Sequence, residues 1–459
     1  MKFVGRVAEL TLLDSHYRSA KSALLPIYGR RRVGKSRLIT EFMRDKPHIY
    51  FLGKRTTSEL QLEEFRQAAQ LCLRNEALEH ARFSTWQEAL QTVTRLWQHK
   101  QKLVLVLDEL QWTAEASAEL PSVLQGLWDR EWKGRRNIML ILCGSQLGFM
   151  EREVLGRKSP LFGRRSDQIR LGCLSYPEAA QMLAHYSETD RASMYFMVGG
   201  VPAYLERFTA GRSLHRAIVE EFCSELKFFG LEPHFLLREE LRDPARYFTI
   251  LTYLAEGRMR QKELAEKSKI EARVLATYLE TLTELGYVSK AHPVLPGAIS
   301  PHRVLYEIAD PLLRFWFRFV FPNTQLCQPG QEQNVFNQCI RPNLESYFGV
   351  CFEKLCQESL AASYRKQGIL WERIGSYWDA RVQIDVVGLR KDNWLDLGEC
   401  KWGLGASFAS LAKEMERKIL LYPNKADLSI GRHLFIRQKP RQKCQCFQVH
   451  SLPDLFSEE

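Results

Sequence analysis

The chain has 459 residues, enough for two to four domains at about 100–200 residues each. With 45% hydrophobic and 26% charged residues it is not a disordered chain. Its longest apolar runs, 103–107 and 138–143, fall far short of the ~20 residues of a membrane span, and no secretory pattern opens it. Lys and Arg number 65 against 54 Asp and Glu, a formal +11. Phosphate-bearing partners, nucleic acid or nucleotide, are the natural counter-charge.

The first chemical signal follows the apolar run 24–28. Gly29-Arg30-Arg31-Arg32-Val33-Gly34-Lys35-Ser36 has the spacing GxxxxGK[ST], and helical periodicity follows it through Leu38 and Phe42. Strand, glycine loop and helix in that order suit a phosphate chain. The glycines let the backbone wrap it, the helix N-terminus offers unpaired N–H groups, and Lys35 meets the β and γ phosphates. Ser36 offers a hydroxyl to Mg²⁺.

Residues 103–107 are apolar without alternation, as in a strand buried on both faces of a parallel sheet. The run ends in Asp108-Glu109, at the carboxyl end where open α/β sheets bind ligands. Asp108 is expected to hold Mg²⁺ through water and Glu109 to polarise the attacking water. A third strand, 138–143, ends in Gly144-Ser145-Gln146, and Ser145, with Gln146 close behind, is expected to reach the γ phosphate or that water. Arg164 and Arg165 lie in a later loop; an arginine there can stabilise the transferred phosphoryl in cis or from a neighbouring copy in a homo-oligomer.

The residues 206–240 read as a helical lid or connector. Helical periodicity then appears at 245–255, around Leu264, and at 272–285, followed by strands at 287–291 and 304–308. Three helices and a hairpin are the pattern of a winged helix-turn-helix, whose third helix enters a major groove. Lys267, Lys269 and Arg273 are the candidates for DNA contact. The aromatic run 310–321 is expected to be a buried helix rather than a base-stacking platform, and 322–333, with Pro329-Gly330, to be the best linker.

The last third predicts a helix at 344–364, strands at 369–374 and 381–389, a turn at 390–393, a strand at 394–402, a helix at 407–422 and a strand at 432–436. Alternation along a strand puts Glu399 and Lys401 on one face with Cys400 opposite. Folding about the turn brings Asp385 opposite Gly398 or Glu399, depending on register. Two carboxylates that close need a cation, and hard oxygen ligands suit Mg²⁺ or Mn²⁺. Lys401 would then orient or deprotonate water or balance phosphodiester charge. The 11 cysteines are scattered with no pair of CxxC knuckles. They are expected to be reduced thiols in a cytoplasm, without zinc; the closest pair, Cys444 and Cys446, is read with a strand at 446–449.

Phe3-Val-Gly-Arg6 with Glu9-Leu10, the phosphate loop 29–36, Asp108-Glu109, Gly144-Ser145, 159–165 and Gly199-Gly200-Val201-Pro202 follow one another as in archaeal-type ATPases of the AAA+/STAND class, which residues 1–235 resemble. The resemblance implies that Gly5 and Arg6 lie near the adenine and Pro202 in the helical lid. Asp385 followed by Glu399-x-Lys401 resembles the PD-(D/E)xK nuclease superfamily, and Glu353 matches the extra acidic residue many members place near the metal. Gln383 stands where Glu is expected. More narrowly, Gly349–Glu353, Trp378-Asp379, Ile384-Asp385 and Glu399–Trp402 resemble the DUF234-type C-terminal domain carried by some archaeal-type ATPases.

The resulting expectation is an α/β protein. A P-loop NTPase core and lid would occupy 1–235, a winged helix-turn-helix 236–321, a linker 322–340, and a restriction-endonuclease-like domain 341–459. Its function would be ATP hydrolysis coupled to DNA cleavage, with ATP and Mg²⁺ as cofactors. The alternatives are a signalling ATPase switch and a DNA-binding regulator, in which the C-terminal domain binds without cutting.

Overall fold

A strand with no polar alternation needs cover on both faces. β1 (Ala23–Tyr28), β3 (Leu103–Asp108) and β4 (Ile138–Gly144) are buried at every position. Together with β2 (His48–Leu52) and the short β5 (Ile169–Arg170) they form a parallel sheet in the order β2-β3-β4-β1-β5. On one face Val104 and Val106 join a core with Leu13 of α1 (Val7–Arg18) and Leu38, Ile39 and Phe42 of α2 (Lys35–Met43). On the other, Leu103, Leu105 and Leu107 join Phe65 of α3 (Ser58–Leu73) and Trp86, Leu90 and Val93 of α4 (Trp86–Leu96). This computed structural model describes residues 3–208, 212–224, 226–241, 243–297, 303–403, 407–439 and 446–456, and Cys444 lies outside them. The sheet belongs to the first of two compact units, Met1–Leu174 with Val201–Ala203; the second is Ser175–Gly200 with Tyr204–Glu459.

In the second unit, α5 (Pro244–Leu254), α6 (Gln261–Ser268) and α7 (Ala272–Glu284) precede an antiparallel hairpin of β6 (Val288–Ala291) and β7 (Leu305–Ile308). Met259 bridges to Tyr306 of β7. α8 (Pro311–Phe315) continues through the wider turn Trp316–Val320, with Phe315, Trp316, Phe317 and Phe319 buried. Trp316 Nε1 donates to Gly230 O at 3.0 Å. The aromatic run is core.

The stretch expected to be a linker is ordered. A 3₁₀ turn at Phe321–Leu326 and a helix from Glu332 lead into α9 (Arg341–Gln367), and Val335, Phe336 and Ile340 are buried. Those apolar anchors outweigh the polar and Pro-Gly composition around them.

The C-terminal sheet has the order β12-β11-β10-β9-β8, from β8 (Trp371–Trp378), β9 (Gln383–Arg390), β10 (Trp394–Lys401), β11 (Ser429–Ile436) and β12 (Gln448–Ser451). β8, β9 and β10 pair antiparallel, and β10, β11 and β12 pair parallel. Leu411, Met415 and Ile419 of α10 (Phe408–Leu421) share a core with Val387, Leu389, Leu395 and Leu397 on one face. α9 covers the other so closely that a Cβ on Gly388 would overlap the Tyr364 hydroxyl.

Candidate functional site

The phosphate loop is built where β1 runs out. A side chain at Gly29 would overlap the Leu171 carbonyl, so the chain passes there only as glycine. Gly34, left-handed at φ 92°, caps α2, and Lys35 follows as its first residue. Lys35 is buried, and burial lowers the pKa of its ammonium. Its Nζ donates to Gly29 O and Arg30 O, each at 2.9 Å. The ammonium thus lies folded on the loop that a phosphate chain would fill. Val33 is buried, and Arg30, Arg31 and Arg32 stand at the loop surface. Arg6 joins two segments of this wall: its Nη2 donates to Gly172 O at 2.6 Å and to Val33 O at 3.1 Å. Pro202 belongs to the same unit, its Cγ 3.8 Å from where a Cβ on Gly34 would stand.

Sheet order explains the rest. β4 lies between β1 and β3, so Ser145 at its tip falls between the loop and Asp108-Glu109. Ser36 Oγ donates to Asp108 Oδ2 at 2.7 Å, and Tyr50 OH donates to the same oxygen at 2.5 Å. Ser145 Oγ donates to Glu109 Oε2 at 2.7 Å, and Gln111 Nε2 donates to both Glu109 Oε2 and, at 3.2 Å, Ser145 Oγ. Glu109 is held in a left-handed backbone conformation, φ 50°. Ser36 with Asp108 forms an oxygen-ligand pair suited to Mg²⁺. Glu109, Ser145 and Gln111 form one hydrogen-bonded cluster able to orient water.

Tyr50 and Gln111 were not legible as site residues. Gln146, expected beside Ser145, is exposed, and Gln111, the second residue of the helix Leu110–Ala116 that follows β3, takes that place. Arg164 is committed elsewhere: Nε and Nη2 grip Asp129 at 2.8–3.0 Å, and Nη1 donates to Pro160 O and Phe162 O. Arg165 is exposed.

In the C-terminal sheet, the ladder pair Gly398–Val386 sets Glu399 opposite Asp385. Both are buried, at 8% and 6% exposure. Asp385 Oδ2 accepts from Cys400 N at 3.1 Å and Oδ1 from Gln383 Nε2 at 3.2 Å. Glu399 Oε1 accepts from Lys418 Nζ on α10 at 2.6 Å, and Glu399 Oε2 is buried without a partner. Burial, then the charge of Asp385, pushes the Glu399 carboxyl up to about 7. Burial also raises Asp385, and burial with the charges of Asp385 and Glu399 takes Glu353 to about 8. Such groups want a proton or a cation.

The ammonium beside Glu399 is therefore Lys418, while Lys401 is exposed at the strand end. Among the described residues, no three His, Cys, Asp or Glu side chains stand close enough to share one metal ion. Glu353 is near enough to repel Asp385 without joining it as a third ligand. The orphaned Glu399 Oε2 and the all-oxygen donors of Asp385 and Glu399 fit a hard divalent cation. In the helix-and-hairpin segment, Lys267 pairs with Glu256 at 2.7 Å, Lys269 follows α6 with φ 56°, and Arg273 is exposed on α7.

Two families match the chain: an ATPase domain predominantly from Archaea over residues 3–208, and DUF234, described as Archaea bacterial proteins of unknown function, over 316–418. An uncharacterized protein of Methanocaldococcus jannaschii is 25% identical over 404 residues, 87% of each chain. An uncharacterized ATP-binding protein of the same organism is 46% identical over 44 residues, 10% of this chain and 75% of that one. The Walker-type ATPase of Pyrococcus abyssi shares the fold at TM-score 0.53 and 20% identity, over 69% of this chain and 96% of that one. The chain thus joins an ATPase domain of the predominantly archaeal family to a C-terminal DUF234 domain.

Proposed function

We propose that this protein hydrolyses ATP and uses nucleotide state to control a metal-dependent DNA nuclease in its C-terminal domain. The observation that carries the nuclease reading is the orphaned Oε2 of Glu399, buried on the sheet face it shares with Asp385. At the N-terminal site, loop N–H groups and Lys35 bind the phosphates, and Ser36 and Asp108 hold Mg²⁺. Glu109, kept in place by Ser145 and Gln111, orients the attacking water. Arg165 is the arginine that a second copy of the chain can present, since Arg164 is bound to Asp129.

In the C-terminal domain, Asp385 and Glu399 would hold Mg²⁺ or Mn²⁺, which supplies charge neutralisation at the attacked phosphoryl group and acidifies bound water. The Cys400 N–H fixes the Asp385 carboxylate and Lys418 fixes that of Glu399. Lys401, exposed on the Glu399 side of β10, balances phosphodiester charge. α5, α6, α7 and the β6–β7 hairpin act as the winged helix that receives DNA, with Lys267, Lys269 and Arg273 at its surface.

The test is cleavage of supercoiled plasmid by the full chain in Mg²⁺ or Mn²⁺, with and without ATP. Lys401→Ala is expected to abolish cutting and keep ATP binding; Lys35→Ala is expected to do the reverse to nucleotide binding. A Lys401→Ala protein that cuts as well as the parent removes the nuclease assignment. One observation favours a non-cutting role: Lys418 already neutralises one Glu399 oxygen. Plasmid retardation without divalent-dependent cutting would establish that second reading, a nucleotide-driven DNA-binding switch.

A further inference from the structure

Away from both sites, the second unit contains a cavity of about 250 Å³ whose wall includes Arg258, Glu307, Arg314, Arg318, Ser346 and Tyr347. Its charges do not balance. Glu307 on β7 is claimed twice: Arg258 Nε reaches its Oε2 at 2.6 Å and Lys354 Nζ its Oε1 at 2.8 Å. Ser289 Oγ donates to the same carboxylate at 3.3 Å. Both oxygens are used, and one negative charge answers two positive ones.

Arg314 and Arg318 stand outside that exchange. The Arg314 guanidinium lies 5.7 Å from the Tyr347 ring centre and donates to the Tyr347 hydroxyl at 3.4 Å. Among the described residues no carboxylate comes within ion-pair distance of it. Arg318, four residues on, is exposed. Three other acids are near, and burial with the charge of Asp385 raises one of them, Glu353, to about 8 against the pull of Arg258. Glu256 on the wall is paired with Lys267 at 2.7 Å. Glu358, on α9 with Lys354, has its carboxyl raised by burial against the pull of Lys354 and Arg314, and it makes no ion pair with either. Arg258, Arg314 and Arg318 therefore line a pocket whose Glu307 carboxylate, also paired with Lys354, has both oxygens occupied, and whose Glu256 is paired with Lys267. A half-buried cationic surplus is costly until an anion enters.

The guanidinium fork matches the oxygens of a phosphoryl group in a way a carboxamide or hydroxyl cannot. The Ser346 hydroxyl adds a neutral donor to the wall. The volume holds one or two phosphoryl groups and lies below the roughly 300 Å³ at which pockets for drug-sized ligands begin. We propose that this cavity is a phosphoryl-anion site, with Arg314 and Arg318 as its ligands. The group could arrive free, as inorganic phosphate or pyrophosphate, or as a backbone phosphate of a nucleic acid. The proposal does not depend on whether the C-terminal domain cuts.

The test uses the full chain carrying Lys35→Ala, so that the phosphate loop no longer contributes. Binding of pyrophosphate and of a short single-stranded oligonucleotide is measured by calorimetry at constant ionic strength. Saturable binding is expected, weakened about tenfold or more by Arg318→Ala and by Arg314→Lys. Arg318 is exposed, so its variant keeps the fold even if the Arg314 variant does not. Pyrophosphate binding without oligonucleotide binding identifies the free anion as the source, and the converse identifies the nucleic acid backbone; either result supports the site. No binding of either probe overturns it, as does binding that Arg318→Ala leaves unchanged.

Discussion

The ammonium beside Glu399 is that of Lys418, and Lys401, to which the sequence points, is exposed. The opposition of Asp385 and Glu399 was legible because strand alternation and a short turn are local rules. Lys418 was not, because it comes from a helix 19 residues beyond Glu399, and only packing of α10 on the sheet brings it back. Its role here is positioning. Lys418→Met leaves a buried carboxylate unpaired, which costs about 3 kcal/mol. Urea unfolding should show that loss without divalent ions, and Glu399→Gln in the same chain should recover most of it. Lys401→Ala, at an exposed position, should change stability by less than about 0.5 kcal/mol. Comparing the two therefore separates holding the site from acting in it. At the other site, Ser145 was readable from its strand tip, whereas Gln111 was hidden because a helix start has no periodic signature to mark an inward polar side chain.

A chain of buried polar side chains runs across three strands and a helix on the α9 side of the C-terminal sheet. Tyr364 OH donates to Asp396 Oδ2, His433 Nε2 lies 3.0 Å from Asp396 Oδ1, and His433 Nδ1 lies 3.0 Å from His450 Nε2. Burial, then the neighbouring His433, pushes the His450 imidazole down to about 4, opposed by Asp454 and Asp396. Its value in the unfolded chain is 6.5. Between those values the unfolded chain binds more protons, so this contribution is complete above pH 6.5 and is lost as pH falls towards 4. It amounts to about 3 kcal/mol. The raised carboxyls of Glu353 and Glu399 act in the opposite direction over neighbouring pH, so the measurement is a difference. Parent and His450→Asn chains are unfolded in urea at pH 7 and pH 4.5, and the parent should lose more stability between the two. Close packing at this face gives a second outcome. Gly388→Ala places a methyl against the Tyr364 hydroxyl and, at 2.9 Å, Leu360 Cδ2, and should cost about 1–3 kcal/mol by thermal unfolding. Element types here were readable from period and turn residues. The helical packing of 322–340 was not, because its buried positions are sparse among glutamines and asparagines.

The partition of the whole chain departs from sequence order. The sequence suggests boundaries near 235, 321 and 340; in the structure residues 175–200 belong to the second compact unit and 201–203 to the first. The reason is aromatic pairing over long sequence separations. Phe196 lies 5.4 Å from the Trp402 ring and 6.0 Å from that of Phe348, and Tyr347 OH donates to Phe196 O at 3.3 Å. No local pattern announces a contact across some 150–200 residues. Phe196 thus packs beside the end of β10, and six residues later along the chain Pro202 stands beside Gly34 of the phosphate loop. Six residues of chain separate these two contacts. Phe196→Ala should leave ATP hydrolysis and ATP-free plasmid cutting near parental rates and abolish the effect of ATP on cutting. An unchanged ATP response would show that coupling runs by another route.

The loop between β9 and β10 has three residues, 391–393, with Asn393 at φ 64° and the Arg390 side chain bonded to Asp392. This geometry fixes which residues face each other, and a slip of one position would turn every side chain of β10 to the wrong side. Asp385 would then lose Glu399, and His433 would lose Asp396, in the same event. A hairpin tip with no reactive group of its own thus guards two separate constellations, and inserting a single residue at 392 should silence the C-terminal domain as thoroughly as deleting either carboxylate.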